Sequence, residues 1–258
     1  MADFIKSLTA KLSSRGIEIS KFCKLSSKVE RRIIKEYGAI FLNADAAVRM
    51  PDRCRFKDEK EVLVYQRKLK TSKKTVGGRA IELQRAAMDA LLKAADEAGA
   101  ITPKGTNPAR RSFAAVQSSW DGTVKDAADY WKANPNAKEK KLPDKEAENL
   151  KALTGETQIK RVLELEDESF FFHPDRTRSI AVFTAIPGAS QHLLMLALDI
   201  EEYADEKVRD ALAENGWFQT VYRDRPHFTY LGLKQSELSS LGLKIEKFED
   251  REFWIPNI

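Results

Sequence analysis

Only three histidines occur in the 258 residues, and two of them stand beside short apolar segments of the second half. His192 lies in PGASQHLLMLALDI, seven residues before Asp199, and His227 follows Pro226 in VYRDRPHFTYLG. Two imidazoles and one carboxylate make the donor set of a mononuclear zinc centre that keeps a fourth position open for water. One Zn2+ per chain is therefore the chemistry these residue types could support. Spacing alone does not decide the matter, because a His and an Asp seven apart often occur as ordinary structural residues.

The elements that must hold these side chains can be read from periodicity. Lys28–Asn43 carries Val29, Ile33, Ile34 and Tyr37 at helical spacing, and 59–69 continues in the same style. After TSKKTVGG (71–78), which reads as a flexible stretch, the run 79–99 is helical in pattern and closes on Gly99 as a C-cap. A Pro/Gly/Asn-rich loop at 101–110 precedes a helix from Arg111 that stops near Asn134-Pro135, and the lysine-rich 136–145 reads as a surface loop. Beyond residue 157, the segments 178–186, 193–200 and 227–233 are β-prone, and a short helix between the last two is capped by Gly216. The order predicts an α+β fold, a small antiparallel sheet flanked by helices with a mainly helical N-terminal part. Residues 1–78 are expected to form the basic N-terminal region, and 79–258 the domain that carries the site.

The residues around the three donors resemble the zinc D-alanyl-D-alanine peptidase family, which includes carboxypeptidases and dipeptidases. Ser190, His192, Ala197 and Asp199 match its S-x-H-x-x-x-x-A-x-D segment. Asp224, His227 and Phe228, with Gly216-Trp217 upstream, match its acidic-x-x-His segment. Arg111-Ser112-Phe113, after a Leu/Ala-rich helix, matches its Arg-Ser-aromatic segment. The resemblance covers about 79–233 in pieces and leaves the first 75 residues without a motif. It implies that His192, Asp199 and His227 bind zinc, that Asp224 is the general base, and that Arg111, with Arg110 as a weaker substitute, faces a substrate carboxylate that Ser190 also contacts. The implied activity is hydrolysis of D-alanyl bonds in peptidoglycan stem peptides, foremost as a D-alanyl-D-alanine carboxypeptidase. Three positions depart from the pattern. Met195 stands where the family has glycine, Val116 or Gln117 only approximates its glutamine, and Asp224 replaces its glutamate. The last departure keeps an alternative open, a catalytically impaired zinc-containing module that binds peptidoglycan.

Other candidates have ordinary readings. Glu201, Glu202 and Asp205 are fallback bases but suit the N-terminus of the following helix, where acidic side chains are favoured. His173 reads as part of a surface His-Pro turn, and Phe170–Phe172 as core. Trp217 and Tyr230 are either cleft or packing residues.

Charge is uneven: residues 1–80 hold 20 Lys and Arg against nine Asp and Glu, so the chain's net +5 leaves −6 on the remainder. Such a front end suits either an anionic polymer or a solvated helical surface. The sequence argues against nucleic acid, since no basic stripe is interleaved with aromatics and no helix-turn-helix or zinc-finger spacing occurs. The longest apolar runs fall far short of the roughly 20 residues of a membrane span. MADFIKSLTAKLSS lacks a secretory pattern, so the residues as given imply the cytoplasm, whereas the resemblance implies a periplasmic or extracellular protein. Cys23 and Cys54 read as unpaired thiols.

Overall fold

The computed structural model describes residues 3–258. Helix α1 (Phe4–Ser13) starts at Asp3, whose side chain accepts from the Ile5 and Lys6 amides, and buries Phe4, Leu8 and Leu12. A short α2 (Ile19–Phe22) leads to α3 (Lys28–Tyr37), capped by Ser27 on the Glu30 amide. Its buried Val29, Ile33, Ile34 and Tyr37 form the stripe expected from spacing, and the chain tightens into a 3-10 turn over Gly38–Leu42. Helix α4 (Glu59–Gln66) follows.

The stretch expected to be flexible is instead strand β1 (Thr71–Val76), paired antiparallel with β2 (Arg79–Gln84). Gly77 and Gly78, both at positive φ, form the two-residue turn, a conformation glycine adopts without steric cost. In β2 the residues Ile81 and Leu83 alternate inward, so pairing and burial override the helical pattern of RAIELQ. Helix α5 (Arg85–Ala98) begins only after this hairpin and ends at Gly99 in the left-handed conformation. The 78/79 boundary thus falls in the hairpin turn. Phe4, Ile33 and Leu42 from one side of it share one buried cluster with Leu91, Trp120 and Leu198 from the other.

Helix α6 (Phe113–Ala133) is capped by Ser112 and buries Val116, Trp120, Val124, Ala127 and Trp131. Helices α7 (Asp144–Ala152) and α8 (Gly155–Asp167) pack beside it. The segment 178–186, expected to be a strand, is irregular around a 3-10 turn at Ile180–Val182. It has no partner strand. Its backbone is held by side chains: Glu166 Oε1 accepts from the Ile180 amide at 2.7 Å, and the Tyr37 hydroxyl donates to the Ala181 carbonyl.

Strand β3 (Ala197–Asp199), helix α9 (Glu206–Glu214), and strands β4 (Trp217–Phe218) and β5 (His227–Tyr230) form the central unit. Its sheet is antiparallel in the order β3-β5-β4. After α10 (Gln235–Leu238), the hairpin of β6 (Leu243–Phe248) and β7 (Arg251–Pro256) closes the chain. The architecture is the α+β arrangement of helices around small antiparallel sheets. No helix among the described residues is long and apolar enough to cross a membrane.

Cys23 and Cys54 are not free thiols. They form a disulfide with Cα atoms 5.5 Å apart, within the usual span for such a bridge. Their separation of 31 positions hides this proximity from the sequence.

Candidate metal centre

Pairing of β3 with β5 places Asp199 directly opposite His227, and such cross-strand neighbours lie close enough for their side chains to interact. His192 arrives from the other direction, on a 3-10 turn over Gln191–Leu194. Met195 then takes the left-handed conformation, at φ 57° and ψ 37°, and turns the chain back so that β3 runs beside the turn carrying His192. This is why glycine suits the position and why methionine there is strained, by about 1–2 kcal/mol.

The turn is held from outside. Phe56 N donates to the Gly188 carbonyl at 3.0 Å and Arg55 Nε donates to the Pro187 carbonyl at 2.9 Å. Gly188 has φ +84°, and a Cβ there would stand 1.9 Å from the Phe56 carbonyl oxygen. The Cys23–Cys54 bridge and the Cys54 N to Phe22 carbonyl bond, 2.9 Å, anchor this buttress.

The donor atoms of His192, Asp199 and His227 all lie within 4.8 Å of one another. Asp199 Oδ1 is 3.4 Å from His192 Nε2 and 3.2 Å from His227 Nδ1. Its Oδ2 accepts from Arg111 Nη2 at 2.5 Å, while Arg111 Nε donates to the Asn107 carbonyl at 3.3 Å. His227 Nε2 lies 2.8 Å from Gln191 Oε1. His192 is 1% exposed and neither ring nitrogen makes a hydrogen bond; its approach to Asp199 is an ion-pair distance without hydrogen-bond alignment. A buried imidazole with both nitrogens orphaned is costly unless something takes its lone pair. The donor set and this orphaned ring together fit a zinc ion.

Electrostatics follow from the same geometry. Burial pushes His192 down to about 4, against the opposing pull of Asp199, so its ring is neutral as a metal ligand requires. Burial works to raise Asp199, but the two histidines outweigh it and hold the carboxyl far below the usual range. Asp224 moves the other way. Burial, reinforced by the Asp199 charge, raises it against the pull of His227 and Arg111.

A cavity of about 320 Å³ opens onto the cluster. Arg111, Ser190, His192, Asp224 and His227 all line it, so the structure brings the sequence-derived candidates together. Arg111, expected to face a substrate carboxylate, is engaged by the protein's own Asp199. The fallback bases serve elsewhere. Glu201 pairs with Lys104 at 2.6 Å, Glu202 accepts from the Thr102 amide at 2.8 Å, and Asp205 caps α9. Arg110 is held by Gln66 and Glu82 away from the cavity. Trp217 and Tyr230 pack on each other with ring centroids 5.4 Å apart, while Phe170 and Phe172 are core. His173 sits in its turn with its ring against Phe183, which lines the cavity and is 55% exposed.

Sequence reasoning missed Gln191, Thr220 and Thr229, which pack behind His227, and Tyr37 and Phe183 in the cavity wall. Gln191 adjoins His192, and Thr229 lies two residues from His227, hence on the same strand face. Those offsets were the available signals, and Tyr37 and Phe183 had none. No family model, curated protein or solved structure matches this chain.

Proposed function

We propose that this protein is a zinc-dependent peptidase that hydrolyses D-alanyl bonds of peptidoglycan stem peptides, acting as a D-alanyl-D-alanine carboxypeptidase. The observation that carries the reading is the buried His192, with both ring nitrogens unpartnered, beside the Asp199–His227 pair, with both histidines lining a cavity. His192, Asp199 and His227 would hold the ion. Bound there, zinc would supply Lewis acidity and lower the pKa of water to about 7.

The chain's own residues account for the rest. Asp224, whose carboxyl burial holds above the ordinary carboxylate range, takes the proton of the attacking water on a side-chain oxygen and returns it to the leaving amine. Arg111 holds Asp199 by Oδ2, which leaves Oδ1 turned to the two histidines. Ser190 and Arg111 line the cavity and would receive a peptide's terminal carboxylate there. The Cys23–Cys54 disulfide supports work in an oxidising compartment, as action on cell-wall peptides requires.

Engagement of Arg111 by Asp199 favours a second reading, a zinc-containing module that binds stem peptides without cutting them. Metal analysis of the purified chain, followed by mass spectrometry of stem peptides ending in D-Ala-D-Ala, tests both. One zinc per chain and release of D-alanine are expected. Zinc with binding but no cleavage transfers the assignment to the module, and a chain that takes up no zinc refutes both.

A further inference from the structure

We infer that Gln191 is a positioning residue that dictates which nitrogen of His227 is available to a metal. The inference deepens the zinc-site reading and rests on it for its functional meaning, though not for its geometry.

One backbone carbonyl in this pocket has no choice of role. Gln191 Nε2 lies 3.1 Å from the Tyr37 carbonyl oxygen and 3.3 Å from Thr220 Oγ1. A carbonyl only accepts, so the carboxamide must turn its NH2 toward Tyr37 and its oxygen toward His227. Flipping the group would set two carbonyl oxygens against each other in a buried pocket. The two threonines complete a consistent circuit. Gln191 Nε2 donates to Thr220, the Thr220 hydroxyl donates to Thr229 Oγ1 at 2.7 Å, and the Thr229 hydroxyl donates to Gln191 Oε1. Gln191, Thr220, Thr229 and His227 are all at most 4% exposed, so each misdirected proton here leaves a group unsatisfied without solvent to correct it.

Gln191 Oε1 has no proton to give, so the 2.8 Å contact with His227 Nε2 requires that nitrogen to carry one. In the neutral ring Nδ1 is then the only atom with a lone pair to donate, and it faces Asp199 Oδ1 at 3.2 Å. Two lone pairs at that distance repel, so either a proton or a metal cation lies between these atoms, and with a metal there the pair is a ligand edge. The Tyr37 carbonyl thus sets the coordination chemistry through one side chain. Because Gln191 also immediately precedes His192, the same residue ties the turn bearing one histidine to the strand bearing the other.

Two measurements test this, and their failures are separable. In the metal-free wild-type protein, nitrogen NMR of labelled histidine should show His227 protonated at Nε2. A ring protonated only at Nδ1 overturns the inference whatever the metal result. In zinc competition titrations, Gln191→Leu should weaken binding by about 10–100-fold, the usual effect of removing an outer partner of a metal-binding histidine. Gln191→Glu, which keeps an acceptor for Nε2–H, should recover part of that loss. Wild-type affinity in a folded Gln191→Leu protein overturns the inference. If Gln191→Leu does not fold, Thr229→Val, which withdraws one donor from Oε1, should weaken zinc binding in the same direction, and an unchanged affinity there overturns it. A wild type that binds no zinc but shows the Nε2 proton refutes the peptidase reading and leaves the inferred control of His227 supported.

Discussion

Replacing His192 by leucine separates the cost of this residue from its use. In the metal-free protein its ring is buried with both nitrogens orphaned, and each unsatisfied buried group costs about 1–3 kcal/mol. Leucine removes both and keeps an apolar side chain in the same space. The variant forfeits the 3.4 Å approach to Asp199, which offsets about 1 kcal/mol given its poor alignment. A net gain of about 1–5 kcal/mol corresponds to a rise in Tm of roughly 2–20 °C for a chain of this size. Acid should widen the gap. His192 titrates near 4 in the folded protein and near 6.5 unfolded, so between those values the unfolded chain binds the extra proton. Wild-type stability therefore falls as pH drops from about 6.5 toward 4, and the variant lacks that part of the fall. The assay is thermal unfolding with a chelator at pH 7.5 and 5, repeated with zinc. Zinc at 100 times its Kd should stabilise the wild type by about 2.7 kcal/mol and leave the variant unchanged. If the chelated variant is less stable than the chelated wild type at pH 7.5, the ring nitrogens are satisfied, and burial does not poise His192 for a metal.

Asp224→Asn should keep its zinc while turnover on stem peptides falls by about 10²–10⁴-fold; undiminished turnover would place the base elsewhere. Gly188→Ala must accommodate a Cβ 1.9 Å from the Phe56 carbonyl oxygen at positive φ. It should lose about 1–3 kcal/mol or more in denaturant titrations and bind zinc more weakly as the His192 turn shifts. Met195→Gly relieves about 1–2 kcal/mol of backbone strain but deletes a buried side chain, a loss of about 2–5 kcal/mol. The variant should therefore melt lower than wild type, and a higher melting temperature would show that strain outweighs packing.

Much of the architecture was legible in the residues. The stripe of α3, the helix at α6, the Gly99 and Gly216 stops and the β-prone residues of β5 are local signals, because they depend on neighbours in the chain. The three candidate ligands were also legible, since few residue types hold zinc and histidine is scarce here. Local signals misled where partners decide the outcome. RAIELQ is helical in pattern yet pairs with β1 across Gly77-Gly78, and 178–186 is β-prone yet finds no strand to join. Whether Cys23 meets Cys54, whether Arg111 faces a substrate or Asp199, and which nitrogen of His227 points at the site were decided only by the tertiary structure. Each turns on contacts between segments 31 to 154 residues apart, and hydrogen bonds, ion pairs and disulfides act through distance in space, which spacing in the sequence does not record.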